Sequence, residues 1–432
     1  MIKVLKFGGT SVGSAANMKK VAEIVRREQA RITSAMSGTT DSLVRISRAA
    51  ASGDRNAIEE QLAMLTDKYT RCIEELLRER KQQALARMNA TFGLIRDEAA
   101  AFEEYESERK IIAQGELLTS AIFTAYLQET GLKAECLYSP DFMVKDPGEK
   151  VDTERIGRAL ARVAGDDSTF FVAQGFICSD SQGRIDNLGR GGSDYSAALM
   201  GAAVEAAEVQ IWTDIDGMHN NDPRFVDNTR PIRTMSFDEA AELAYFGAKI
   251  LHPATIQPCK DHGIAVLLKN TMDPEAPGTT ISNRDDDTKS FHAVAAKDGI
   301  TVIRIHSARM LMAYGFLRKV FEIFEQYRTP IDMITTSEVA VSLTVDNDSH
   351  IDEIVRDLSA LGSIEIERGN SIVCVVGRME HGDAGLAARV FECVRGVPIK
   401  MISYGASHRS LAILIDTEHK KRTLQCLNDG LF

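Results

Sequence analysis

Two glycine turns hold the side chains of this 432-residue chain best suited to chemistry. Near the start, Ile2-Lys3-Val4-Leu5 runs into Lys6-Phe7-Gly8-Gly9-Thr10-Ser11, and Leu188-Gly189-Arg190-Gly191-Gly192-Ser193-Asp194 stands mid-chain. A short apolar strand, tandem glycines and hydroxyl residues ahead of a helix let bare backbone N–H groups approach an anion, and a neighbouring lysine supplies charge. Together the turns read as a phosphate site. A Walker A loop is disfavoured, because there the lysine follows the glycines, whereas Lys6 precedes them. Further polar candidates are Thr40 in Ser37-Gly38-Thr39-Thr40-Asp41, Glu116 in Gln114-Gly115-Glu116-Leu117, Thr213 and Asp214 in Trp212-Thr213-Asp214-Ile215-Asp216-Gly217, Arg224 in Asp222-Pro223-Arg224, and Lys249 in Phe246-Gly247-Ala248-Lys249-Ile250-Leu251-His252-Pro253.

In this order along the chain, the segments resemble the signature segments of the aspartokinase family, within the amino-acid kinase superfamily. The resemblance implies transfer of the ATP γ-phosphate to the β-carboxylate of L-aspartate. The product would be 4-phospho-L-aspartate, made in the first step of lysine, threonine and methionine biosynthesis. It implies ATP with Mg2+ held mainly by the nucleotide phosphates, and no protein-held metal. By the same match Lys6, Arg190 and Asp194 are the catalytic residues, with Lys6 the principal transition-state cation. Lys6, the amides of Gly8 and Gly9, Thr10, Ser11, Thr213, Asp214, His219, Arg224 and Lys249 are assigned to the nucleotide. Thr40, Glu116, Arg190, Ser193 and Asp194 are assigned to aspartate. The chemistry agrees with these residue types. A carboxylate acceptor with pKa ~3.9 is already ionised at neutral pH, so no base is needed. The difficulty is bringing two anions together, which calls for positioning, backbone donors, a lysine and magnesium. An acid for the α-ammonium and a bidentate cation for the α-carboxylate match Glu116 and Arg190. Three positions depart from the family: His219 stands where a tyrosine is common, Ser139-Pro140-Asp141 replaces Asp-x-Arg, and Ala313 replaces a polar residue.

The elements that must hold these residues alternate short apolar runs with amphipathic stretches, predicting an α/β fold with a largely parallel sheet sandwiched by helices over residues 1–282. Strands are expected at 2–5, 169–173, 210–213 and 265–268, so the motifs collect at carboxyl ends of strands, where open α/β sheets bind ligands. Met18, Val21, Ile24 and Val25 recur at helical spacing, and 58–102 reads as a solvated pair of helices. The strand ahead of Ser34, around Arg31-Ile32-Thr33, is unusually polar. Pro274, Pro277 and Gly278 close this domain and 283–290 form a charged linker.

Beyond the linker a unit is repeated. Gly315-Phe316-Leu317-Arg318-Lys319-Val320-Phe321-Glu322 recurs from Gly385, and Pro330-Ile331-Asp332-Met333-Ile334 recurs as Pro398-Ile399-Lys400-Met401-Ile402. Each copy resembles the α+β, ferredoxin-like ACT module that binds amino acids. The expected division is 307–370 for the first copy and 291–306 plus 371–432 for the second, since the family inserts one unit in the other. At the matched position the first copy has Asp332, which can receive an effector's α-ammonium, and the second has Lys400, which repels it. The first copy is therefore expected to bind the effector, through Met310, Phe316, Leu317, Asp332, Ser337 and Glu338, and the second to pack in an ACT-mediated homodimer. The resemblance favours lysine as effector, because a threonine response usually accompanies a fused homoserine dehydrogenase, for which this chain has no room.

Composition narrows the alternatives. A formal net charge of −11 argues against a nucleic-acid partner. No apolar run approaches the ~20 residues of a membrane span, and the chain opens directly on a strand, so a cytoplasmic protein without a membrane anchor is expected. Seven scattered cysteines without a Cys-x-x-Cys pair read as reduced thiols. Two rivals remain open: a kinase acting on another amino acid such as glutamate, which would lack the paired ACT units, and a silent amino-acid sensor, which would not need Lys6, Glu116, Arg190, Asp194 and Lys249 intact.

Overall fold

The computed structural model describes residues 2–28, 32–35, 39–148, 150–165, 168–189, 191–247, 251–284, 290–310, 314–379 and 384–432. These fall into two units, of which the first comprises 2–218, 233–237 and 251–284. Its strands are β1 (Lys3–Phe7), β2 (Ile32–Ala35), β3 (Ala134–Cys136), β4 (Phe170–Gln174), β5 (Ile177–Ser179), β6 (Ile185–Asn187), β7 (Glu208–Thr213), β8 (Thr234–Ser236), β9 (Ala265–Asn270) and β10 (Thr279–Ser282). Eight of them form one sheet in the order β3-β4-β2-β1-β7-β9-β10-β8, while β5 and β6 pair separately. Neighbours from β3 to β9 run parallel, and β10 is antiparallel to β9. A sheet covered on both faces needs apolar residues at successive positions, and Val4, Leu5 and Phe7 are all fully buried. In this register Lys6 lies opposite Ser34 on one side and Ile211 on the other, so the glycine turn after β1 leaves the same edge as the ends of β2, β7 and β9.

The helix Ala15–Glu28 buries Met18, Val21, Ile24 and Val25, as their spacing predicts. The helical pair is present as Arg55–Leu76 and Lys81–Ala100. It is more than a solvated hairpin: Leu62, Leu65, Tyr69, Ile73, Met88, Phe92 and Ile95 enter the main core with Phe123 and Trp212.

The second unit comprises 219–232, 238–247 and 290–432. The expectation had placed everything up to 282 in the catalytic part, but Val226 packs in an apolar core of this C-terminal unit. Its strands are β11 (Phe291–His306), β12 (Ile334–Thr336), β13 (Ala340–Val345), β14 (Ser363–Gly377), β15 (Met401–Tyr404) and β16 (Ser410–Asp416), ordered β12-β13-β11-β14-β16-β15, all antiparallel. The repeat has two cores, one around Ile303, Ile305, Val320, Phe324 and Leu343, the other around Val294, Val373, Val390, Ile413 and Leu424. The long strand β11 is divided between them. Its half 291–297 serves the second copy, whereas 301–306 pairs with β13 and packs in the first, so 291–306 does not belong wholly to the second copy. The division falls at a register shift between Lys297 and Ile300. There Gly299 has φ 76°, and its counterpart in β14, Gly369, has φ 79°.

Candidate active site

At the end of β1 the Lys6 side chain is buried, and its Nζ lies 2.7 Å from Oδ1 of Asp194. Asp194 reaches it from the first turn of the helix Gly192–Ala203, where an acid also complements the positive helix end. That helix is entered through Gly191 at φ 73°, and a Cβ there would sit 2.6 Å from Thr255 Cγ2, so both conformation and space require glycine. The N–H groups of Asp194 and Tyr195 both donate to the Gly191 carbonyl at 3.0 Å. One expected donor is otherwise engaged: the Gly8 amide donates to the Trp212 carbonyl at 3.0 Å. It extends the β1–β7 ladder past the Phe7–Trp212 pair instead of standing open to an anion. Ser11 is fully buried, with its Oγ 2.7 Å from Thr271 Oγ1, tying the turn to the segment after β9. Thr10 is exposed and its carbonyl accepts from Asn17.

Glu116 lies on the helix Glu104–Glu129 and is 2% exposed. Beside it is Tyr69, a residue the sequence reading did not nominate. The Tyr69 hydroxyl lies 2.9 Å from Thr119 Oγ1 and 3.4 Å from Thr39 Oγ1. Burial pushes the Tyr69 phenol above its usual range against the pull of those two bonds, and the Glu116 carboxylate adds to the rise. Tyr69 sits four residues from both Leu65 and Ile73 on a buried helix face, so its spacing alone marks it only as core. Thr39 is buried and Thr40 begins the helix Thr40–Ser52. Ser193 is buried next to Asp194. The departing Ser139 is fully buried; its N–H donates to Gln174 Oε1 and its hydroxyl to the Gln174 carbonyl, a scaffolding role at the end of β4.

After β7, Thr213 Oγ1 accepts from the Ile215 N–H at 3.2 Å and its carbonyl accepts from Thr271 at 2.8 Å, while Asp214 is exposed. The turn closes at Gly217, φ 113°, where a Cβ would meet Thr279 Oγ1 at 2.5 Å.

The amino acid kinase family model matches residues 1–270 of the chain, and an ACT domain model matches 373–431. Over the whole chain it is 33% identical to lysine-sensitive aspartokinase 3 of Escherichia coli, covering 99% of that protein. Chloroplastic aspartokinase 1 of Arabidopsis thaliana is 32% identical over 99% of this chain and 80% of its own length. The chain belongs to the aspartokinases of the amino acid kinase family. Its fold superposes on E. coli aspartokinase III in complex with aspartate and ADP with a TM-score of 0.86, and on the same enzyme in complex with lysine and aspartate with 0.82, each at 32% identity and over the whole chain. These structures cover 100% and 99% of the E. coli chain, respectively.

In this aspartokinase Arg190 and Lys249 lie outside the described residues. His219 and Arg224 belong to the C-terminal unit. His219 Nδ1 is 2.9 Å from Thr229 Oγ1, and the exposed Arg224 forms a fork with Asp222, Nε to Oδ1 at 2.9 Å and Nη2 to Oδ2 at 2.6 Å. Among the residues assigned to an effector, Phe316 is buried, Met310 and Leu317 pack against the first core, the Ser337 N–H donates to the Ala340 carbonyl, and Glu338 is exposed.

Asp332 and Lys400 each stand in a polar cluster. The Asp332 side chain is 1% exposed, and its Oδ1 accepts from Lys297 Nζ and from the Tyr245 hydroxyl, both at 2.8 Å. Lys297 also lies 2.8 Å from Asp346 Oδ2. Asp332 Oδ2 is buried and takes no hydrogen bond among the described residues. In the second copy the Lys400 Nζ meets Glu367, Asp416 and Asn370 Oδ1, and Glu367 is bridged to Arg304 at 2.6 Å. Burial lowers both lysines' affinity for their protons, but the carboxylates outweigh it and raise each above the usual range.

Proposed function

We propose that this aspartokinase transfers the γ-phosphoryl group of ATP to the side-chain carboxylate of L-aspartate, and that lysine inhibits it through the first C-terminal copy. A carboxylate oxygen forms the new O–P bond while the β,γ-bridging oxygen keeps the electron pair of the bond that breaks, giving 4-phospho-L-aspartate and ADP. The observation that carries this reading is the buried Lys6–Asp194 pair, set where a parallel strand and a helix N-terminus meet. Lys6 turned from Asp194 to the phosphates would neutralise charge on the transferring group, with Asp194 holding it ready meanwhile. Glu116 would take the substrate's ammonium and Arg190 its α-carboxylate, with Thr40 and Ser193 lining the pocket. Thr10, Ser11, Thr213, Asp214, His219, Arg224 and Lys249 keep their assignment to the nucleotide by the family match, and Mg2+ would ride on the phosphates.

Charge supports the choice of the first copy for lysine. Among the described residues, Asp332 and Asp346 share one ammonium and a buried oxygen of Asp332 accepts no hydrogen bond, whereas Glu367 and Asp416 are balanced by Lys400 and Arg304. An effector ammonium would supply a second cation to the first cluster. The E. coli relative solved with lysine and aspartate agrees with that effector. The active species is proposed to be a cytoplasmic homodimer joined through the ACT copies.

The test is ATP-dependent formation of aspartyl hydroxamate from L-aspartate by the purified protein, with lysine titrated in. Turnover that lysine suppresses is the expected result; no turnover sinks the kinase reading, and turnover indifferent to lysine sinks the effector assignment alone.

A further inference from the structure

Asp332 is joined to a part of the chain that lies far from it in sequence. Tyr245 ends the helix Phe237–Tyr245, and its hydroxyl donates to Asp332 Oδ1 at 2.8 Å although the residue is 41% exposed. The Lys297 ammonium, bound to the same oxygen, stands 4.6 Å from the centre of the Tyr245 ring. Two residues on, Gly247 has φ 124°, and a Cβ there would fall 2.2 Å from the Ala296 carbonyl oxygen. The Gly247 backbone is therefore pressed against β11 immediately before Lys297, and the Tyr245 side chain two residues earlier is tied to Asp332. Burial and the carboxylates of Asp332 and Asp346 raise the Tyr245 phenol, which keeps it a donor at any physiological pH.

We propose that Tyr245 is the positioning residue through which an amino-acid effector bound at Asp332 acts on the end of the helix Phe237–Tyr245, and so on turnover. This rests on the reading of Asp332 as the acceptor of the effector's ammonium. A second ammonium on the Asp332 carboxylate repels that of Lys297, whose other partner is Asp346. As Lys297 moves toward Asp346 it leaves the Tyr245 ring. The phenol then competes for the carboxylate with a charge-assisted donor, which forms the stronger bond. Both ties at the end of the helix loosen together, and any shift of β11 at 296–297 is passed to Gly247 by direct contact. Among the described residues the second copy shows no such link: Lys400 is held by Glu367, Asp416 and Asn370.

The experiment compares the full-length wild type, Tyr245→Phe and Asp332→Ala in two measurements, lysine binding by calorimetry and turnover at saturating lysine. Tyr245→Phe keeps the ring and removes only the hydroxyl. It is expected to leave uninhibited turnover within about twofold of wild type and to bind lysine, while the factor by which saturating lysine lowers turnover shrinks about tenfold, of the order of typical coupling. Full inhibition of Tyr245→Phe overturns the proposal, and so does loss of lysine binding, which would make Tyr245 part of the site. Asp332→Ala reports on the underlying reading: lysine binding and inhibition unchanged in that variant remove Asp332 as the acceptor, whatever Tyr245→Phe does.

Discussion

The two C-terminal copies share a backbone plan and place a lysine among carboxylates at the same point of it, yet the lysine comes from a different strand position in each. In the first copy it is Lys297 of β11, facing Asp332; in the second it is Lys400, in the position of Asp332, facing Glu367 of β14 in the position of Lys297. Asp346 and Asp416 correspond and are common to both. The exchange alone would be neutral. Among the described residues, Arg304, which bridges Glu367, completes the second cluster and has no counterpart in the first. On the proposed reading, that one cation separates a copy able to receive an ammonium from a twin whose carboxylates are already paired.

The largest test of this contrast is Asp332→Ala, which removes a charged acceptor worth ~3 kcal/mol, so half-inhibition should need about 100-fold more lysine. Uninhibited turnover should hardly change, and retention of wild-type lysine sensitivity would end the comparison. Next comes Lys400→Met, which takes the ammonium from Asp416 and leaves Glu367 with Arg304 alone. Allowing for their partial exposure, a loss of about 2 kcal/mol is expected in urea unfolding of the C-terminal unit, with lysine inhibition preserved. Lys297→Met should act oppositely on the effector: with no resident ammonium to repel it, lysine should inhibit at roughly tenfold lower concentration, about 1.4 kcal/mol. The smallest effect concerns pH. Lys400 and Arg304 hold the Glu367 carboxyl below its usual range, so its contribution is present above ~4.3, the unfolded value, and is lost as pH falls through the lower folded one. Because Glu367 is about one-third exposed, the difference between wild type and Glu367→Gln should stay below ~1 kcal/mol at neutral pH and vanish in acid unfolding curves below that range.

Much of the catalytic unit was legible beforehand. The four expected strands are present, because a short apolar run ending in turn residues has few other ways to fold, and Lys6 and Asp194 meet although 188 positions separate them. The Gly8 amide was misread since a glycine pair looks the same whether its first N–H faces an anion or extends a ladder; the neighbour that takes it, Trp212, comes from another strand. Tyr69 was missed for a similar reason, its hydroxyl's partners being supplied by Thr39 and Thr119. The copy boundary in β11 was misplaced although Lys297-Asp298-Gly299 interrupts its apolar run, because only the folded sheet shows one strand continuing through that break with a core on each side of it.

By itself the sequence determined the family, the order of units, the motif residues and the duplication, since these depend on residue types at fixed spacing along one chain. Only the tertiary structure decided which charges balance. Lys297 and Asp332, Arg304 and Glu367, and Tyr245 and Asp332 are joined by strand register and helix packing across 35, 63 and 87 positions. The energy of a charge depends on its neighbours within a few ångströms, and those distances exist only once the chain has folded.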